Sequence, residues 1–348
     1  MMMSDERLRS AAQVASLAAF CCTVTGLLAA AAAARSDSSL LGTVSIPDAV
    51  IGLGFPVLAG VILGREPRHR VALLILVAAI ASGVLTLSSG IVALSLSGTE
   101  VPGLLWFAWL ANWTWYPSFA TAPVFLLVFP TGRARWRWAG WVLKAHLFFA
   151  VLVSLLLIVW PEVELTLDGP TYRSPMPLRV EALEGGLFGV MWPANSAVYA
   201  LASLVGIASL VARLRSARGI EQLQVKWVIY AATLMGLVLP LTSFVELTSL
   251  LNPLAVALLV AAIGISMTRY RLYEIDRIVN RTIVYGLVTA GLAGVYAAAV
   301  LALRTLLPVT DESPLVVAGS TLAMVALFRP LRERIQGAVD RRFYRRRY

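Results

Sequence analysis

Apolar runs long enough to cross a bilayer recur along almost the whole of this 348-residue chain. An α-helix satisfies its own backbone hydrogen bonds inside hydrocarbon, and ~20 apolar residues in that form span the ~30 Å lipid core. The runs break at charged or Pro/Gly-rich points, which predicts ten spans at 11–34, 46–64, 71–95, 103–129, 140–160, 187–212, 227–245, 252–268, 283–307 and 314–328. The last is short, reaching only ~22 Å at ~1.5 Å per residue. It needs flanking residues, a thinned bilayer or a snorkelling Arg329. The expected fold is all-α: a polytopic transmembrane helical bundle over 1–328, followed by a short basic amphipathic cytoplasmic tail over 329–348.

Composition agrees with that reading. Apolar residues make up 59% of the chain and charged residues 14%, against about 25% charged in soluble domains. Collagen, disordered tails and disulfide scaffolds are excluded. Cys21 and Cys22 are adjacent inside an apolar run and supply neither a disulfide framework nor a metal site. The longest connection between spans, 161–186, is too short to bury a core of its own. No internal repeat is present, and no paired Gly/Pro-broken helices mark an inverted-repeat transporter.

The net charge of +10 is explained by topology rather than by a nucleic-acid partner. With the N-terminus in the cytoplasm, 25 of the 29 basic residues fall on the inner side. Only Arg35, Arg173, Arg179 and Arg304 fall outside, as the positive-inside rule requires. Acidic residues run the other way, with 8 of 19 inside. Both termini are thus expected in the cytoplasm. The first apolar stretch exceeds the 7–15 residues usual in a signal-peptide core, so it is expected to remain as a span. All basic residues except Lys144 and Lys226 are arginine, a skew that suits a GC-rich bacterial genome and hence a bacterial plasma membrane.

Catalytic chemistry is not legible. No phosphate-cradling Gly-Lys-Ser/Thr loop, HExxH, GxSxG or CxxC pattern occurs. The two histidines, His69 and His146, lie in an inner loop and early in the fifth span. His146 reads either as a proton-handling group or as a polar group satisfied by a neighbouring helix. No catalytic, cofactor or metal-binding residues are expected.

Two features stand out. Trp106, Trp109, Trp113 and Tyr116 recur at intervals of 3, 4 and 3 with Asn112 among them, on one face of the Pro-containing fourth span. They read either as a ligand pocket, aromatic faces beside an amide, or as an interfacial aromatic belt continued into helix packing. On the inner side, Leu272, Ile275, Ile278 and Val279 give 269–282 the pattern of an amphipathic surface helix. In the tail, Leu331, Ile335, Val339 and Phe343 recur every four residues. Arg341, Arg342, Arg345, Arg346 and Arg347 beside them are candidate contacts to anionic headgroups or to an output partner.

Segments 269–286 and 330–348, with Phe129-Pro130-Thr131-Gly132-Arg133 in 125–138 and Arg218-Gly219-Ile220-Glu221-Gln222-Leu223-Gln224 in 217–231, resemble a family of bacterial polytopic sensors. Members often form the membrane input regions of two-component sensor histidine kinases. The resemblance implies an integral membrane sensor that passes a membrane or extracellular signal to a cytoplasmic partner or kinase domain. The apolar stripe of the tail, by its spacing, suits either anionic headgroups or pairing with a second copy in a homodimer. The chain itself holds neither a phosphoacceptor-histidine context nor an ATP-binding motif, so it is not expected to act as an enzyme. A polytopic transporter or lipid-handling permease is the alternative. Reporter fusions test the topology. Those after Gly98, Asp168 and Asp311 should report the outer side, and those after Arg68, Arg135 and Tyr348 the cytoplasm. Two fusions on the wrong side would overturn it.

Overall fold

The computed structural model describes residues 5–165, 171–180, 187–242 and 248–268. Eight helices occupy them: α1 (Asp5–Ala33), α2 (Ile46–Arg65), α3 (Arg70–Leu96), α4 (Leu104–Val128), α5 (Ala139–Ile158), α6 (Leu187–Ser216), α7 (Ile220–Thr242) and α8 (Thr248–Thr268). Each coincides with one of the first eight predicted spans. The spans at 283–307 and 314–328, the segment 269–282 and the tail with its five arginines lie outside the described residues. Among those described, five helices (α1, α2, α3, α5 and α6) are long and apolar enough to cross a membrane. In α4 the tryptophans, Asn112, Tyr116 and prolines lower the hydropathy.

The all-α expectation is amended at one place. Within 161–186, β1 (Glu162–Glu164) and β2 (Thr171–Arg173) pair antiparallel, Val163 facing Tyr172. Val163 packs on Val92 of α3 and Ala108 of α4, so the connection borrows the bundle's core instead of building its own. A short 3-10 helix (Ser38–Thr43) also forms between α1 and α2. Hydrogen bonds from Ser39 cap it and hold the exposed Asp37 carboxyl below the ordinary carboxylate range.

The tightest packing joins α1 to α3. The buried face of α1 is Ala12, Ser16, Ala19, Thr23, Gly26, Ala30 and Ala33, spaced alternately by four and three, so it forms a single heptad seam made entirely of small residues. On α3 the facing positions are Gly83, Thr86 and Gly90. A methyl group on Gly83 would strike the Ala19 carbonyl, and one on Gly90 would strike the Gly26 backbone. Both pairs advance by seven residues in the same direction, so α1 and α3 run parallel. Backbones this close are the usual mode of helix association in lipid, where small residues replace the hydrophobic drive. The Thr23 hydroxyl lies 3.0 Å from the Ala19 carbonyl and 2.9 Å from the Gly52 carbonyl of α2, and shares one proton between them. It thereby ties α2 to the same seam.

Helices α5 and α6 bury polar side chains and turn apolar ones outward; on α6, Asn195 and Ser209 are buried while Leu204 is exposed. On α5, His146 is fully buried while Phe148 is 64% exposed and Val151 59%. In water that order would be reversed; in hydrocarbon it is the stable one. Contacts also sort the connections between two ends. Arg68 pairs with Asp5 at 3.1 Å, Gly132 approaches Arg70, and Arg213 bonds Thr131 and the Arg133 carbonyl. The start of α1 and the α2–α3, α4–α5 and α6–α7 connections therefore share one arginine-rich end, and the hairpin lies at the other. A Gly90→Ala variant should lower thermal stability by about 1–3 kcal/mol through overpacking. Gly140→Ala, whose new methyl meets open space, should stay within about 0.5 kcal/mol. Thermal unfolding in neutral detergent checks both.

Candidate functional site

Helix α4 carries both aromatic faces, and its prolines shape them. Pro117 and Pro123 lie inside the helix and donate no amide hydrogen, so the carbonyls of Trp113 and Phe119 lose their usual partners. In the turn before Pro123, His146 of α5 donates from Nε2 to the Ala120 carbonyl at 2.9 Å. A carbonyl only accepts, so the proton sits on Nε2. Nδ1 is buried without a hydrogen-bond partner, and the ring meets Tyr199 edge-on at 5.7 Å.

The predicted stripe divides into two parts. Trp106, Trp109 and Trp113 form a run of tilted and edge-to-face indoles, with centroids 5.7 and 5.9 Å apart. Trp109 Nε1 donates to the Ile158 carbonyl at 2.8 Å, capping the end of α5. Asn112 Nδ2 donates to the Ala108 carbonyl at 2.9 Å and to the Glu164 carbonyl at 3.1 Å, which holds β1. These polar groups are engaged in joining elements, and Trp113 Nε1 is buried without a partner. Tyr116 lies deeper and fully buried. Its hydroxyl donates to Asn195 Oδ1 of α6 at 2.6 Å, and Trp115 and Trp192 flank its ring.

A cavity of about 500 Å³ lies against the adjoining face of α4 and is lined by none of those five residues. Trp115, Ser118, Phe119, Ala122, Phe125 and Leu126 form one wall, with residues of α2, α3, α6, α7 and α8 completing it. Phe119 and Tyr199 stack at 4.4 Å with ring planes 5° apart. Polar groups gather at one place. Ser82 donates to Asp48 Oδ1 at 3.3 Å, so in its 2.8 Å contact with Ser118 it accepts. This chain of two hydroxyls and a carboxylate joins α2, α3 and α4, and its Asp48 and Ser118 ends lie on the cavity wall. An apolar cavity with a few converging polar groups suits a lipid-like or other largely apolar ligand.

At the arginine-rich end the Arg213 side chain is only 6% exposed. Its Nη2 donates to the Arg133 carbonyl at 2.7 Å and Nη1 to Thr131 Oγ1 at 3.2 Å, while Glu221 Oε1 stands 3.6 Å from Nη1. The clasp thus joins the Phe129–Arg133 segment to the segment holding Glu221, two of the stretches singled out in the sequence. Gln224 extends the link, donating to the Ser266 carbonyl of α8 at 2.8 Å. The sequence hides Arg213 among many inner arginines, because its partners on the α4–α5 loop lie some eighty residues earlier.

Comparison with known proteins gave no match to a protein-family model, a curated protein or a solved structure. Tyr116→Phe should lower stability by about 1–3 kcal/mol, because the Asn195 carbonyl would stay buried and unpaired. Adding Asn195→Leu should recover part of that loss. A double-mutant cycle on thermal unfolding measures the coupling, and strict additivity would show that the bond carries none.

Proposed function

We propose that this chain is a multi-pass sensor of the bacterial plasma membrane, a signal-transducing module with both termini in the cytoplasm. It takes a largely apolar, membrane-borne ligand in the α4 cavity and passes the change to a cytoplasmic partner or to a second copy. The basic tail, with Arg341, Arg342, Arg345, Arg346 and Arg347, rests on anionic headgroups. The supporting observation is that α4 serves both ends. One face walls the cavity, and the chain that continues from it is gripped by the buried Arg213. A ligand that favours one arrangement of α4 over another biases the clasp by its difference in affinity for the two.

The test joins the chain after Tyr348 to the phosphoacceptor and ATP-binding domains of a histidine kinase and measures phosphorylation in vesicles. Ala78→Trp fills the cavity from α3, where Ala78 is 2% exposed, and Arg213→Gln removes the clasp. A coupling of ~1 kcal/mol changes output about fivefold, so each variant should shift phosphorylation at least that far. Equal phosphorylation in all three proteins would defeat the sensor reading. Uptake of a fluorescent phospholipid by vesicles with no effect on phosphorylation would favour the permease.

A further inference from the structure

The arginine-rich end contains a second, chemically opposite cavity. It has a volume of about 330 Å³, and the α2–α3 connection and the start of α3 face the α4–α5 loop across it. Arg68, Arg70 and Arg133 line it together with Thr131 and Gly132, and among the described residues no acidic one does. Arg68 shares its charge with Asp5 at 3.1 Å, both side chains being more than half exposed. The guanidinium groups of Arg70 and Arg133 have no acidic partner among the described residues. Three arginines lining one hollow make it a place of positive charge, which favours an anion there.

The walls are held in place rather than loosely gathered. Arg213 grips the loop at the Arg133 carbonyl and at Thr131 Oγ1. Gly132 adopts a left-handed conformation with φ of +72°, and a side chain there would press within 3.0 Å of Arg70 Cβ. The glycine lets the loop backbone lie against the first turn of α3. That turn begins at Arg70, with His69 Nδ1 accepting from the Ala72 amide at 3.2 Å as its cap. The positive end of the α3 dipole therefore adds to the charge of the arginines.

Guanidinium forks match phosphate oxygens in pairs. We propose that this hollow is a phosphate-binding site, in which Arg70 and Arg133 clamp a phosphomonoester or phosphodiester and Arg68 adds charge. Its occupant bridges the α2–α3 and α4–α5 connections beside the Arg213 clasp. The site is separate from the apolar cavity and does not depend on what that cavity binds.

The test uses the full chain purified in an uncharged detergent. Lipid retention is titrated by native mass spectrometry with dioctanoyl phosphatidylglycerol and with dioctanoylglycerol, which has the same chains and no phosphate. The phospholipid should bind with at least about tenfold higher affinity, as expected for lost charge-assisted hydrogen bonds. Arg70→Gln with Arg133→Gln should abolish that preference. Arg135→Gln with Arg137→Gln removes the same charge from exposed positions on the same loop outside the hollow, and should change it less than about twofold. Arg133→Gln alone, also at an exposed side chain, should move in the same direction as the double variant. Competition by inorganic phosphate would make the occupant a soluble phosphate compound; retention despite inorganic phosphate would make it a lipid headgroup. Equal binding of the two lipids, or equal losses in the two double variants, would overturn the site.

Discussion

The rest of the bundle is built on the direct contact between the α1 and α3 backbones. Lipid chains are as apolar as leucine, so burying leucine between two helices inside a membrane gains little. Close approach gains dispersion contacts over the whole length of a helix, and only Gly, Ala, Ser and Thr permit it. Ala19, Gly26, Gly83 and Gly90 create that contact. With α3 held there, α2 and α4 can close around its remaining faces, and the Thr23 and Ser82 hydroxyls join them by hydrogen bonds.

The second determinant is the interrupted ladder of α4. A proline within a membrane helix frees carbonyls that water cannot reach, and neighbouring side chains must answer for the loss. The carbonyl that Pro123 frees is that of Phe119; His146 donates to the next one, that of Ala120, and so anchors α5 beside the break. The imidazole is thereby buried among helices whose outward faces are Phe and Val. On an adjoining face of the same helix, Phe119 and Tyr199 stack beside a cavity that Asp48 and Ser118 make polar at one spot. A single helix thus carries an indole run, a histidine anchor and a cavity wall.

At the arginine-rich end, electrostatics replaces close packing. Arg213 is buried because a carbonyl, a hydroxyl and a carboxylate surround it. Breaking such a set would leave an uncompensated charge, which is far more destabilising than losing an exposed ion pair. The clasp orders the α4–α5 loop, and the loop in turn faces Arg70 and Arg68 across the phosphate hollow. Apolar ligand chemistry and anion chemistry therefore lie at two levels of one helix, α4, and of the loop that continues it.

Much of the architecture was legible in the sequence because hydrophobic length is a local property. The first eight spans are readable to within a few residues at most ends, and α7 shows the largest offset, starting at Ile220 rather than 227. Its first turns, Ile220 to Lys226, interleave Ile, Leu and Val with Glu, Gln and Lys and so fall outside any unbroken apolar run. The heptad of small residues on α1 was present in the sequence, yet it carried no hydropathy signal that set it apart from other alanine. The aromatic stripe was equally visible, but not which of its indoles would cap α5 or which face of α4 would border a cavity. By itself the sequence determined the helices, their order and the clustering of arginine in alternate connections, since each follows from local composition and from the cost of putting charge into lipid. Only the tertiary structure decided that Arg213 would be the buried arginine, that Tyr116 would meet Asn195, and that three other arginines would face one hollow. Those pairings join residues tens of positions apart, and their energies exist only once the backbones of α1 and α3 have brought the helices together.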